Sequence, residues 1–299
     1  MVEKNAASSR TLFQTSAWII FAKERFQIPG VLIVAIAQSA SAQYIVSSVF
    51  DWFAMAISVT GISTLLITMR MMDELKDFDT DKVAHPDRPL PRGLISPKEV
   101  RSGLWIGVGI LLLGSILIGL LWNTVAGSLL GLSVGYSLLM YREFFVPEAI
   151  GTRPFWYAIT HQIILVPIYA FATATASPEA TFASPVLWFA MTGLGASFAL
   201  EVCRKLDPNA HPALGTYLSV VGWGGTVTAV VGSVALASYA SYQIGVHMIL
   251  WPIAMALLGS LALTVMRPQR FKWTAGLAAL FVLAQVFAPT IIHFTGALR

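Results

Sequence analysis

The chain has 299 residues and a formal net charge of +4; 56% of it is hydrophobic and 11% charged. A soluble domain carries about 25% charged residues, so this composition, with a mean hydropathy of +0.72, excludes an ordinary water-soluble fold and makes the bilayer the solvent. The charge is too small to indicate nucleic acid, partners are expected to be lipid-like, and the single Cys203 excludes an internal disulfide and an all-cysteine metal site.

In chain order, Met1 to Thr15 is polar and Ser16 to Ala22 is too short an apolar run to cross, so residues 1–27 are expected to form a cytoplasmic N-terminal segment without a cleavable signal. Residues 28–299 are expected to form a single membrane domain. Its apolar runs fall at about 28–47, 52–72, 100–121, 124–141, 157–175, 185–203, 216–236, 244–266 and 274–294, each near the roughly 20 residues a crossing helix needs. The runs are continuous rather than alternating, which favours helices over a barrel and predicts an all-α polytopic protein of about nine transmembrane helices around a central cavity. The third and fourth are joined only by Trp122-Asn123-Thr124 and read as a helical hairpin.

The basic residues give an independent test of the count. With the N-terminus inside, nine crossings put Lys4, Arg10, Lys23 and Arg25, the run from Arg70 to Arg101, Arg142 and Arg153, Arg204 and Lys205, and Arg267, Arg270 and Lys272 on the cytoplasmic side. Only Arg299 falls outside, and the loops around Ser47 to Asp51, Trp122 to Thr124, Ala176 to Ser184 and Ala237 to Gln243 hold no Lys or Arg.

The longest inner loop opens with five carboxylates in nine residues: Asp73, Glu74, Asp77, Asp79 and Asp81. If the second helix runs on through them, Asp73, Asp77 and Asp81 stack on one face with Glu74 alongside. Like charges stacked at a membrane boundary are unfavourable unless a cation sits among them, and Mg2+, which takes carboxylate oxygens, waters and phosphates, is the natural one. Arg70, Lys82, Arg88 and Arg92 would compete with a bare cation, so they point to a polyanionic ligand whose remaining oxygens they bind. Arg88-Pro89-Leu90-Pro91-Arg92-Gly93 is expected as an extended turn, and Ser96-Pro97-Lys98-Glu99 as a capping box that starts the third helix. A second inner loop mixes the same residue types: Glu201, Arg204, Lys205, Asp207 and His211. There Glu201 and Asp207 are candidates for a second metal, and Arg204 and Lys205 for phosphate.

Two acidic loops after the second and sixth of nine helices resemble the UbiA superfamily of intramembrane prenyltransferases over nearly the whole chain. The family's Asn-Asp-x-x-Asp-x-x-x-Asp is matched by Asp73-Glu74-Leu75-Lys76-Asp77-Phe78-Asp79-Thr80-Asp81, followed by Arg88-Pro89-Leu90-Pro91-Arg92-Gly93. Its Asp-x-x-x-Asp with a later Gly is matched by Asp207, His211 and Gly215, with His replacing the second carboxylate. Its Tyr-x-x-x-Lys is broken, because Tyr136 is followed by Met140; Arg142 stands nearby as a substitute.

The resemblance implies ionisation of an isoprenoid diphosphate donor, assisted by Mg2+, and capture of the prenyl cation by a membrane-accessible acceptor, aromatic, quinone-type or isoprenoid. It assigns metal binding to Asp73, Glu74, Asp77, Asp81, Glu201, Asp207 and His211, the first four and Asp207 being also catalytic. Donor and acceptor contacts go to Arg70, Lys82, Arg88, Arg92, Arg142, Glu201, Arg204, Lys205, Tyr136 and His161. Trp52, Phe53, Tyr136, Tyr141, Phe144, Phe145, Trp156 and Tyr157 are candidates to stabilise the cation through their ring faces. A histidine at membrane depth marks a cavity, which makes His161 a candidate to orient or deprotonate the acceptor. The altered motifs leave open a terpene cyclase that ionises the same donor without an external acceptor. An ion or solute transporter is disfavoured, because the acidic residues gather at one surface and no internal repeat is evident. No protein partner is indicated.

Overall fold

A computed structural model describes residues 15–47, 49–151, 153–211 and 216–296; Lys4, Arg10, Gly215 and Arg299 lie outside them. A helix over residues 15–25 (α1) precedes α2 (Ile28–Val46), α3 (Trp52–Lys76) and the short α4 (Phe78–Ala84). Then follow α5 (Pro97–Leu121), α6 (Thr124–Tyr141), the short α7 (Pro147–Gly151), α8 (Pro154–Gln162) and α9 (Leu165–Ala174). The chain continues through α10 (Ser184–Cys203), α11 (Tyr217–Gln243), α12 (His247–Met266) and α13 (Phe271–Thr295). Among the described residues nine spans, with α8 and α9 counted as one, are long and apolar enough to cross a membrane, as the sequence predicts.

Each span packs on the next, α2 on α3, α3 on α5, and so on to α12 on α13, and α13 returns to α2, so the bundle closes on itself. Ser41 fixes the closing seam by donating to the Val286 carbonyl at 2.6 Å and sharing a hydrogen bond with Thr290 at 2.9 Å. Hydroxyls of this kind replace the hydrophobic driving force that is missing between helices in lipid.

The hairpin of α5 and α6 turns where the sequence places it. Asn123 caps α6 by accepting the Ala126 N–H at 2.7 Å, while its amide donates to Ala174 O at 3.0 Å and the Trp122 indole donates to Thr175 O at 2.9 Å. These two donors satisfy carbonyls that the end of α9 leaves open. The Ser96 and Glu99 capping box forms as expected, with Glu99 N–H on Ser96 Oγ and Ser96 N–H on Glu99 Oε2 at 2.8 Å.

Four departures from the sequence reading bear on the site. The fifth span is broken between α8 and α9, because Pro167 has no N–H for the Ile163 carbonyl and its ring crowds that turn. The acidic run does not continue α3; the helix opens at Asp77 (φ −83°, ψ −2°) and resumes as α4. Residues 88–94 are compact rather than extended, with Arg92 N–H on Arg88 O at 3.0 Å and Leu94 N–H on Pro89 O at 3.0 Å, since Leu90 turns in to full burial. Finally, Ala237 to Gln243 are the last turns of α11 rather than a loop, and that helix stops only before Gly245, whose φ of 74° ends it.

Candidate functional site

The charged loops gather at one end of the bundle. Asp73 lies in the last turn of α3, Asp77 at the joint, and Asp81 in α4, and the backbone bonds Asp77 N–H to Asp73 O at 2.8 Å and Asp81 N–H to Asp77 O at 2.7 Å keep the three in helical succession. Their side chains have different fates. Asp81 is buried and both its oxygens take Arg88 Nη1 at 2.6 Å. Asp73 and Asp77 form no ion pair among the described residues, and both present accessible surface while set well in among protein atoms, as side chains lining a recess do. Burial pushes the Asp77 carboxyl above the usual aspartate range and the Asp81 charge adds to the shift, while Lys76 and Arg70 oppose it.

Glu74 is almost fully buried, and its Oε1 receives Arg25 Nε at 2.8 Å, Arg25 Nη2 at 2.7 Å and Arg70 Nη2 at 2.7 Å. Its Oε2 is buried without a hydrogen-bond partner. Arg92 pairs with Glu24 of α1 at 2.8 Å, a hydrogen bond that holds Glu24 below the usual glutamate range, and exposed Lys82 pairs with Asp79 at 2.9 Å. Arg70, Arg88 and Arg92, expected to wait for phosphate, are therefore each paired with a carboxylate, and Arg92 bridges to α1.

The second loop meets the first here, since the Arg204 charge acts on Asp73. Glu201 accepts Lys205 Nζ at 2.7 Å and Arg204 Nε at 2.7 Å, and Lys205 also lies over the Tyr217 ring. Asp207 accepts the Asn209 N–H at 2.9 Å, and His211 is exposed. Among the described residues no three His, Cys, Asp or Glu side chains converge as one ion's ligands. Mg2+ needs only one or two carboxylates when phosphates and waters complete its shell. Asp73 and Asp77, the two carboxylates left unpaired among the described residues, fit that requirement.

The inner wall of the recess holds a residue that the sequence reading passed over. Lys76 Nζ lies 3.0 Å from Tyr157 Oη, 3.3 Å from Met140 O, 3.4 Å from Glu143 Oε1 and 3.5 Å from His161 Nε2. Its ammonium thus stands beside Met140, where the broken Tyr136-x-x-x-Met140 pattern lacks a lysine. Arg142 instead ends α6 at an exposed position. Lys76, Asp73, Met72, Met140, Tyr141 and His161 line one small cavity. His161 stacks on Tyr157 at 3.9 Å, and Phe144 meets both His161 and Tyr136 edge to face at 5.9 and 5.6 Å. The helix break leaves the Thr160 carbonyl open, and Tyr136 Oη donates to it at 2.7 Å. Trp52 and Phe53 lie at the opposite end of α3 from Asp73, with their rings on Phe50 and Trp122, so they are not part of this site.

The UbiA prenyltransferase family model matches residues 31–294. No curated protein is matched. Two solved structures are similar. One, described under digeranylgeranylglyceryl phosphate synthase in membranes, has a TM-score of 0.61 and 13% identity, with 92% of this chain and 99% of that one covered. The other, a UbiA homolog from Aeropyrum pernix K1 in its apo form, has a TM-score of 0.64 and 18% identity, with coverage of 89% and 98%. With the family model spanning most of its length and the fold shared, the chain belongs to the UbiA prenyltransferase family.

Proposed function

We propose that the protein is a Mg2+-dependent intramembrane prenyltransferase that ionises an isoprenoid diphosphate and passes the prenyl group to a membrane-accessible acceptor, with the charged loops on the cytoplasmic side. The observation that carries this is the Asp73 and Asp77 pair: two carboxylates one turn apart, without ion-pair partners among the described residues, in a recess at the end of an apolar bundle. In a family of prenyltransferases, acids left unneutralised at such a place suit a divalent ion shared with phosphate.

Asp73 and Asp77 would hold Mg2+. When bound, the ion supplies positive charge where negative charge develops on the leaving diphosphate. The chain's own residues do the rest. Arg204 and Lys205, paired with Glu201 while Lys205 also rests on the Tyr217 ring, would turn to the phosphates from the second loop. The apolar helix faces hold the isoprenoid chain and keep water from the cation. Tyr136, Tyr141, Phe144 and Tyr157 turn ring faces and edges to the place where the cation forms.

His161 has its Nδ1 2.7 Å from the Tyr157 carbonyl, which only accepts, so Nδ1 carries the hydrogen and Nε2 faces Lys76 with a lone pair. Nε2 thus offers a lone pair in the recess to the proton that an acceptor releases on alkylation.

Pyrophosphate release from farnesyl or geranylgeranyl diphosphate by the purified protein tests this. Release that requires Mg2+ and falls at least about a hundredfold in Asp77→Ala is the expected result. Product analysis with and without added acceptor then separates transfer from cyclisation. No release with any donor, or release indifferent to Asp77→Ala, overturns the proposal.

A further inference from the structure

The turn after α6 has an unusual backbone. Glu143, Phe144 and Phe145 have φ of 49°, 53° and 59°, three successive residues with side chains in the left-handed region. The left-handed region is unfavourable for residues with side chains, and strain of this kind persists where the surroundings enforce it. The turn places the Glu143 carboxylate 3.4 Å from Lys76 Nζ and seats Phe144 on His161.

The Lys76 ammonium has three N–H groups. Tyr157 Oη at 3.0 Å and Met140 O at 3.3 Å take two, and the third is left between Glu143 at 3.4 Å and His161 Nε2 at 3.5 Å, both long for a charged donor. Because Tyr157 Oη accepts from Lys76, its own proton is free to be given, and no acceptor for it occurs among the described residues. One under-used N–H and one unused O–H therefore lie side by side at the edge of the small cavity that Lys76, Tyr141 and His161 line, with a partly exposed carboxylate in loose contact.

We infer that Lys76 and Tyr157 form an oxyanion-binding site, and that Glu143 is an internal stand-in held there by the strained turn until a ligand displaces it. The ligand is a phosphate or carboxylate oxygen. It has two sources within the proposed reaction: the diphosphate of the donor, or an acidic group on the acceptor. Its arrival frees Glu143 and lets residues 143–145 relax and Phe144 leave His161, which opens the Nε2 lone pair to the acceptor. The site thus rests on the prenyl-transfer proposal for its use, though its anion affinity is measured without turnover.

The test is calorimetric titration of the detergent-solubilised protein with inorganic pyrophosphate, for the donor source, and dodecyl phosphate below its micellar range, for an acidic acceptor. EDTA throughout removes any contribution of metal held by Asp73 and Asp77. Glu143→Gln is expected to bind the recognised anion about tenfold more tightly than wild type and Lys76→Met about tenfold more weakly, with Lys76→Arg between wild type and Lys76→Met. Thermal unfolding of each variant shows whether it is folded, and Glu143→Gln, which removes only a half-exposed charge, keeps the test available if Lys76→Met is not.

The anion whose affinity responds identifies the source. Equal affinities in wild type, Glu143→Gln and the folded lysine variants, or no binding of either anion by wild type and Glu143→Gln, overturns the inference. Anion binding that follows this order in a protein that never releases pyrophosphate would sink the proposed reaction and leave the site standing.

Discussion

Glu74 and Asp77 are three residues apart, and the fold treats them in opposite ways. Glu74 has two arginines on one oxygen, so Glu74→Gln leaves Arg25 and Arg70 without a counter-charge in a place water scarcely reaches. Breaking a buried ion pair from one side costs about 3–5 kcal/mol, and the expected outcome is a marked loss of melting temperature in detergent, largely recovered when Arg25, Arg70 and Glu74 are all made apolar. Asp77 is destabilised in its charged form by burial and by Asp81. The folded chain therefore holds that proton more tightly than the unfolded chain. Stability contributed by the protonated form is lost as pH rises from the ordinary aspartate range through the raised folded value, and the loss is complete above it. Solvent in the recess keeps the effect small. Metal-free Asp77→Asn is expected to lose less stability than wild type as pH is raised from about 4 to about 7, measured by unfolding in detergent. Which acids are paired and which are left over was not legible in the run itself, because their partners Arg25 and Arg88 lie in other segments and the sequence fixes only their charge.

At the scale of elements, apolar length and cap chemistry were readable and tertiary breaks were not. The hairpin of α5 and α6 shows why the first works: Asn123, Ser96, Pro97 and Glu99 act through neighbours a few residues away. The hairpin also makes a sharp prediction. A methyl group on Gly127 would lie 2.5 Å from the Gly119 Cα and backbone N, so the helices must part to admit it. Gly127→Ala is expected to cost about 1–3 kcal/mol, read as earlier unfolding, while alanine at Gly135, where the added carbon meets nothing within 4 Å, is expected to be neutral. The Lys76 cluster shows where local reading stops. Its partners at Met140, Tyr157 and His161 stand 64, 81 and 85 residues away, on α6 and on the part of the fifth span before its break, and only the packing of α3, α6 and α8 brings them together. Met140 looked like a missing lysine in the sequence; in space, a lysine from α3 stands beside it.

For the whole molecule, the closed order of nine spans gives every loop a side, and the loops with Asp77 and Asp207 share one. The basic residues support placing that side in the cytoplasm, and the protein supplies a convenient test. Cys203 is its only cysteine and is buried, so replacing it with Ala gives a background for single cysteines at Lys98, by the acidic loop, and Phe182, in the exposed turn before α10. In right-side-out vesicles a membrane-impermeant thiol reagent is expected to label the Phe182 position and to reach the Lys98 position only after the membrane is opened; the reverse pattern would invert the assignment. Composition established the membrane and its crossings, but not the way α1 folds back onto the bundle, since Phe21 is buried against residues far along the chain.

That fold-back sets an order of assembly. Residues 15–26 are translated before the acidic loop, yet Arg25 waits for Glu74 and Glu24 waits for Arg92. Until the ribosome has passed residue 92, a helix with an apolar face and unanswered charges must rest at the membrane surface, and the acidic recess has no fixed wall. The acidic wall of the recess is thus set only after two crossings and the loop beyond them have been made, the wall with Tyr157 and His161 only after the fifth span, and a tag fused close to α1 would interfere with its maturation while leaving the crossings intact.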